Sequence, residues 1–464
     1  MSNTPTEKDG AIYDAKQLGM PKMLILGLQH MFAMFGATIL VPILVNSYFH
    51  GEGLSIQVTL FFAGVGTLFF HICAKLKVPA FLGSSFAFLG GFATVAELNS
   101  GIFANMTYGE KLPYACGGIV VAGLLYLVLA LVIRLVGVKR VMRFLPPVVT
   151  GPIIICIGLS LAGSAINNAQ TNWFLALVAL IVIIAFNIWG KGMFKIIPIL
   201  MGVLISYAVA LAMQFAGMTN PDGSTIIDFT STASSAWVGL PDFILCKFNL
   251  TAILVMAPIA IATMMEHIGD MSAISATVGE NFLEDPGLHR TLIGDGLATA
   301  LSAFFGGPAN TTYGENTGVL ELSRVFDPAV IRIAAVYAVV LSFVPKFASI
   351  IGSMPASIIG GVSFILYGMI SAIGIRNVVE NRVDLTNSRN LIIAAVILVC
   401  GLGFSSGLTF EIAGTSITLT SLAIASIAGV LLNAILPGND YEFGVSPEGD
   451  MNRGVTLKAR HRKD

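Results

Sequence analysis

The sequence predicts an all-α polytopic membrane protein: fourteen transmembrane spans in a 7+7 inverted repeat, with spans three and ten short and broken. Three observations carry this expectation, namely the scarcity of charge, the length of the apolar runs and the placement of the basic residues. Of 464 residues, 55% are hydrophobic and 11% charged, against about 25% charged in soluble domains. With a mean hydropathy of +0.85, the chain has too little charge to cover the surface of even two soluble domains. The net charge of -1 and a pI near 6.6 exclude a nucleic-acid-binding protein, which needs a basic face to neutralise phosphates. The apolar residues come in runs of about twenty rather than in alternation, which excludes a membrane β-barrel.

A sliding hydropathy window gives apolar segments at residues 23–47, 56–74, 79–96, 114–133, 144–165, 172–189, 196–214, 250–274, 291–306, 309–323, 329–351, 355–375, 390–404 and 415–436. The third and tenth are the weakest. Basic residues test the count, because Lys and Arg stay on the cytoplasmic side during insertion. With an internal N-terminus and fourteen crossings, 22 of the 25 basic residues fall inside, and only Lys111, Lys247 and Lys346 fall outside. Dropping either weak span breaks this asymmetry. Both termini are therefore expected in the cytoplasm. Met1 to Gly19 lacks the basic start and small-residue cleavage site of a signal peptide, so the first span is expected to direct insertion.

The longest polar interruption, residues 216–249, divides the spans evenly. Seven is odd, so two equivalent halves enter the membrane from opposite sides, the plan of many secondary transporters. The weak span sits third in each half and is broken by small polar residues: Gly83-Ser84-Ser85-Phe86 in one, Asn310-Thr311-Thr312-Tyr313-Gly314-Glu315-Asn316 in the other. Non-helical backbone at membrane depth survives only when buried in protein or lining a cavity. Paired broken segments therefore mark a midplane binding site.

Charges inside the membrane cost about 2.5–3.5 kcal/mol each on insertion scales. Four acids stand there: Glu266 and Asp270 in span eight, Asp295 in span nine and Glu315 in span ten. Glu266 and Asp270 share a helix face, while His267 is rotated about 100 degrees from it. His30 and His71 read as hydrogen-bonded packing residues. The five cysteines form no CxxC, and Glu266-His267 lacks the second His of HExxH, so neither a disulfide framework nor a metal site is expected. No Walker A, GxGxxG or GxSxG sequence is present, and no enzyme or ATP-driven pump is expected.

The run Glu315-Asn316-Thr317-Gly318-Val319-Leu320-Glu321-Leu322-Ser323-Arg324 resembles the signature of the nucleobase/ascorbate transporters (nucleobase:cation symporter-2), [Q/E/P]-N-x-G-x-x-x-x-T-[R/K/G]. Its first-position Glu is most similar to the bacterial uracil permease branch. Gln29-His30 in span one, Gly83-Ser84-Ser85-Phe86 in span three, Glu266-His267-Ile268-Gly269 in span eight and Asp285-Pro286-Gly287 after it extend the resemblance over nearly the whole chain. It implies a core domain at residues 23–133 and 250–351 and a gate domain at 134–215 and 352–436. A cytoplasmic tail at 1–22, an extracytoplasmic linker at 216–249 and a second tail at 437–464 complete the chain. It further implies that the Glu266 and Glu315 carboxylates bind the base, that Phe86 and Gly314 offer backbone groups, and that Ala37 and Tyr313 line the pocket. Two positions depart from the pattern: Ser323 replaces the signature Thr, and Asp270 stands where uracil carriers can have His.

The expected function is proton-coupled uracil symport across a bacterial cytoplasmic (inner) membrane, by a rocking or elevator motion of core against gate. Glu266, Asp270, Asp295 and His267 are the candidates for carrying the proton, with no cofactor beyond the proton gradient. The expected partners are uracil, protons, the lipid bilayer and a second copy in a homodimer. A xanthine or purine permease of the same family is the alternative, and an anion carrier or channel of the same fold is the alternative of another class.

Overall fold

The computed structural model describes residues 11–412 and 415–438. The tail segments 1–10 and 439–464, with Lys8, Arg453, Lys458, Arg460, Arg462 and Lys463, lie outside the described residues. The chain runs through α1 (Met20–Tyr48), α2 (Ile56–Cys73), β1 (Leu82–Ser84), α3 (Leu89–Ala96), α4 (Tyr108–Val136), α5 (Pro147–Ser160), α6 (Ala162–Ala169), α7 (Trp173–Trp189) and α8 (Pro198–Phe215). It continues through α9 (Leu250–Met256), α10 (Ala260–Val278), α11 (Leu288–Phe304), β2 (Asn310–Thr312), α12 (Gly314–Ser323), α13 (Pro328–Ser342), α14 (Pro345–Gly352), α15 (Ala356–Glu380), α16 (Ser388–Gly403), β3 (Leu408–Ile412), β4 (Thr415–Leu419) and α17 (Ser421–Ile435). Short connecting helices complete the path. Among the described residues, seven helical stretches are long and apolar enough to cross a membrane, eight if α13 and α14 count as one span. The helices α7, α16 and α17 are apolar but shorter.

Two packing groups emerge. In one, α1, α2, α4, α11 and α13 pack on one another; in the other, α5 to α8 pack with α15 to α17. Lipid provides no hydrophobic drive between helices, so small residues that let backbones approach take its place. At the α4–α11 contact, a Cβ on Gly123 would sit 2.6 Å from the Gly296 carbonyl oxygen; at the α5–α15 contact, one on Gly374 would sit 2.6 Å from the Ile155 nitrogen.

The strands β1 and β2 pair antiparallel at Leu82↔Thr312, Gly83↔Thr311 and Ser84↔Asn310. Ser85 N–H donates to the Ala309 carbonyl (2.9 Å) and Tyr313 N–H to Phe81 (3.0 Å), extending the ladder at each end. The groups left over at the flanks are taken by side chains from the preceding helices. Thr67 Oγ1 of α2 accepts from Leu82 N–H (2.9 Å) and lies 3.2 Å from the Leu82 carbonyl. Thr299 Oγ1 of α11 accepts from Asn310 N–H (3.1 Å) and donates to the Asn310 carbonyl (3.0 Å). One turn further along each helix, His71 Nε2 bonds the Ala80 carbonyl (2.8 Å) and Ser302 Oγ the Pro308 carbonyl (2.6 Å).

A third anchor comes from α1. Pro42 lies inside that helix and has no N–H, which frees the carbonyl four residues earlier. That carbonyl, of Thr38, accepts Ser84 Oγ at 2.8 Å. The Tyr313 ring lies against Gly83, where a side chain would collide with it. Its hydroxyl donates to the Ser84 carbonyl (2.9 Å) and touches Ser84 Oγ (3.2 Å) and Thr38 Oγ1 (3.3 Å).

Three expected spans differ in the structure. Segment 329–351 is not one helix: α13 and α14 meet at 87°. Pro345 opens α14, and the residue before a proline is pushed out of the α region; Val344 has φ -114, ψ 83. Segment 415–436 begins as a strand, because β3 and β4 form a hairpin with Leu408↔Leu419 and Thr409↔Thr418 paired. The alternating Thr-Ser-Ile-Thr-Leu sequence from Thr415 favours an extended chain, and α17 starts only after Thr420 accepts from Ala423 N–H. The fourth span begins at Tyr108 rather than 114, behind a Thr107–Glu110 capping box.

Two consequences are measurable by thermal melting of the purified protein. Gly123→Leu should cost about 1–3 kcal/mol by overpacking the α4–α11 contact, while Gly163→Ala, which faces open space, should change little. Tyr313→Phe should cost about 1 kcal/mol, one buried hydrogen bond, because the hydroxyl ties Ser84 to α1.

Candidate functional site

The helix α10 brings Glu266, His267 and Asp270 to the crossing, α11 brings Asp295, and the first turn of α12 brings Glu315. His267, turned away from the Glu266 face, points at the strand: its Nδ1 lies 3.1 Å from Thr312 Oγ1 and 3.0 Å from Asp295 Oδ2, with His267 and Asp295 fully enclosed. The Phe70 ring packs edge-on against the imidazole at 6.2 Å. Asp295 Oδ1 is enclosed without a hydrogen-bond partner among the described residues, and the Thr311 hydroxyl of β2 stands within hydrogen-bonding reach of the enclosed Glu266 carboxylate. Glu266 lies within electrostatic reach of Asp295 and Glu315, and Asp270 within reach of all three. The four acids therefore form one cluster around the β1–β2 crossing.

Glu315 occupies the N-terminal turn of a half helix, where unpaired backbone N–H groups favour negative charge. The next residue, Asn316, fixes that turn to α1: its Nδ2 donates to the His30 carbonyl (3.0 Å) and lies 3.2 Å from His30 Nδ1. His30 is thus a packing histidine with a defined partner. His71 is likewise a brace, for the strand that follows α2.

Two cavities flank the crossing. One of about 260 Å³ is lined by Gly314, Glu315 and Gly318 of α12, Phe32 and Ala33 of α1, Lys195 and Ile199 before and within α8, and Met369 and Ile373 of α15. It approaches the range of small-ligand pockets, about 300–1,000 Å³. The other, of about 110 Å³, lies between Phe86, Ala87 and Gly90 on one side and Ser160, Leu161, Leu402 and Thr420 on the other. Of the expected base-binding residues, Gly314 and Glu315 line the first and Phe86 the second. Ala37 and Tyr313 are buried against the crossing itself, and Glu266 lines neither of these two cavities, its Oε2 being enclosed. The two glycines of the crossing differ: a Cβ on Gly83 would collide with the Tyr313 ring. A Cβ on Gly314 would meet only Ile373 Cδ1, at 3.4 Å, so this glycine faces the cavity.

Of the bracing residues, Asn316 was marked by the signature run, whereas Thr67, Thr299 and Thr38 were given no role by the sequence. Their signal is a hydroxyl or amide in an apolar helix just ahead of, or beside, a broken span. Among the described residues no group of three or more His, Cys, Asp or Glu side chains is arranged to hold a metal ion.

A family model described as a permease family matches residues 21–410. The uracil permease of Bacillus caldolyticus is 41% identical over 430 residues, 89% of this chain and 92% of that protein. The uracil permease of Bacillus subtilis (strain 168) is 39% identical, covering 88% and 91%. A putative pyrimidine permease of Escherichia coli (strain K12) is 36% identical over 94% of each chain. Among solved structures, the transmembrane domain of a cyanobacterium bicarbonate transporter, BicA, superimposes with a TM-score of 0.61 at 14% identity, covering 90% of this chain and 99% of that one. SLC26A9 gives 0.63 at 12% identity, covering 91% and 66%. At such identities these two share the fold alone. The match over most of the chain, to relatives of nearly equal length, settles the family: this multi-pass membrane protein belongs to the permease family of the nucleobase/ascorbate transporters, and is a transporter rather than an enzyme.

Proposed function

We propose that the protein imports uracil together with protons across a bacterial inner membrane. The observation that carries this reading is the acid pair Glu266 and Glu315 at the crossing of two broken spans, in a chain whose relatives over about nine-tenths of its length are uracil permeases. Uracil is planar and neutral, with N–H donors beside C=O acceptors. A carboxylate at Glu315, and a second at Glu266, accept the ring N–H groups. Backbone N–H groups at the starts of α12 and α3, near Gly314 and Phe86, donate to the ring carbonyls, aided by the positive ends of the two half helices. Ala37 and Tyr313 close the pocket behind the base.

Desolvation favours the neutral form of a buried carboxyl group, so a proton bound within the Glu266, Asp270, Asp295 and His267 cluster travels with the base. Asp270, one turn from Glu266 and without a base-facing role, tunes that step. The fourteen-span inverted repeat is supported by the matched bracing of the two strands, Thr67 and His71 in one half, Thr299 and Ser302 in the other. The core and gate assignment is supported by the two packing groups. Core rocks or slides against gate, both termini lie inside, and a homodimer holds the gates. With that orientation Asn187 and Lys195 lie on the cytoplasmic side, so the Glu315 cavity that they line opens inward.

The purine alternative differs only in what the pocket admits. The anion-carrier reading draws on the fold shared with the bicarbonate transporter, and the clustered acids oppose it, because they repel an anion.

Two measurements test the proposal. Glu315→Gln replaces a charged acceptor worth about 1.5–3 kcal/mol, so uracil affinity measured by calorimetry on purified protein should fall at least about tenfold while xanthine, adenine and uric acid fail to compete in the wild type. Unchanged uracil binding by Glu315→Gln, or displacement by xanthine, overturns it. Asp270→Asn should keep measurable binding and change the pH profile of uptake in proteoliposomes; loss of binding with an unchanged profile would make Asp270 a direct base ligand.

A further inference from the structure

The segment between α8 and α9 reads as the longest polar interruption in the sequence, but its second half is largely apolar, Trp237-Val238-Gly239-Leu240-Pro241-Asp242-Phe243-Ile244-Leu245-Cys246-Lys247-Phe248. The structure leaves most of these side chains uncovered: Trp237 is 73% exposed, Leu240 77%, Leu245 60% and Phe248 55%. Phe243, less exposed at 42%, orients the segment, since one side of its ring packs edge-on against Phe61 at 5.2 Å.

The depth of the segment follows from what its backbone touches. Gly239 N–H donates to the Phe343 carbonyl (3.1 Å) and Lys346 N–H to Ala236 (2.9 Å), at the bend that ends α13. Ile244 and Cys246 N–H donate to Phe305 (3.2 Å) and Phe304 (3.0 Å) at the end of α11, and Lys247 N–H to Pro113 (2.9 Å) near the start of α4. The helix α9 starts at Leu250. The segment thus runs along the ends of four helices, and spanning helices end where the hydrocarbon ends. The helix α14, turned 87° from α13, lies along the same face.

We infer that residues 237–248 lie in the headgroup–acyl boundary of the bilayer and anchor these helix ends to the lipid surface. Three features fit that occupant. Outside the bonds just named, the non-helical backbone needs water, which excludes the hydrocarbon interior. The outward side chains continue the exposed apolar face of α13, where Val336 and Val340 are 49% and 58% exposed. Aromatic and lysine pairs of the kind that settle at membrane interfaces flank the segment, Lys346 Nζ 6.0 Å from the Trp237 ring and Lys247 Nζ 5.7 Å from the Tyr114 ring.

The chain has three tryptophans, so Trp173→Phe with Trp189→Phe leaves Trp237 as the single reporter in the full-length protein. In proteoliposomes, phosphatidylcholine brominated near the headgroup end of its acyl chain should quench Trp237 at least about twofold more than lipid brominated near the chain terminus, as a burial of about 5–10 Å requires. Aqueous iodide should quench weakly. Quenching by iodide but not by either lipid would make the segment a solvated loop, and quenching by none would mean that protein, such as a second copy, covers it; either result overturns the inference. Should the double variant not fold, the wild-type protein labelled by a headgroup-attached carbene lipid and mapped by mass spectrometry should carry label on 237–248, and no label there overturns it equally.

Discussion

Everything at the centre of this protein depends on giving partners to six residues of extended chain that lie among apolar helices. A strand pair of three residues each cannot satisfy itself, because every peptide group not facing the partner strand is left over, and each unmet group at membrane depth costs several kcal/mol. Thr67 and Thr299 resolve this from opposite flanks, each serving both the N–H and the carbonyl of one strand residue. Pro42 contributes from a third side by leaving the Thr38 carbonyl for Ser84. With the backbone fixed in this way, the half helices α3 and α12 start at defined points, and the acid in the first turn of α12 has a defined aim.

The same bracing divides the site residues into two kinds. Tyr313, Ala37 and Asn316 are bound into the crossing or against it, so they set where α12 begins. Gly314, Glu315 and Gly318 face the open side. The contrast between two glycines of one element pair makes the point: Gly83 is held against an aromatic ring and has no room, whereas Gly314 has only Ile373 across from it at 3.4 Å. The first is a packing requirement and the second keeps space free beside a carboxylate.

Much of this was legible in the sequence because membrane insertion imposes a strict grammar. Acids at membrane depth are rare enough that Glu266, Asp270, Asp295 and Glu315 stood out singly, and the structure gathers all four. The broken spans were visible from Gly, Ser, Thr and Asn in otherwise apolar stretches. What was not legible were features that cost nothing in hydropathy. A threonine in a helix reads as neutral, so Thr67 and Thr299 left no mark. A proline three residues beyond a helix end reads like any turn, so the 87° bend between α13 and α14 was lost within one apolar run. The β3–β4 hairpin was lost for the same reason, because alternating Thr and Ile score as moderately apolar whichever conformation they take.

Hydropathy also misjudged the segment before α9, and the physical reason is instructive. Pro241, Asp242 and Lys247 interrupt the apolar residues often enough that no window of spanning length forms, so composition reports a polar connection. A chain lying along a membrane surface needs neither length nor uniformity. It needs its apolar side chains on one side and its N–H groups bonded on the other, which is the arrangement made by Gly239, Ile244, Cys246 and Lys247 with the ends of α13, α11 and α4. Of these three helices α11 carries strand-bracing residues, a turn or so further in: Thr299 lies five residues before Phe304. A surface contact that holds the end of α11 therefore also limits the movement of the helix that supports β2, and through β2 the start of α12 and the carboxylate of Glu315.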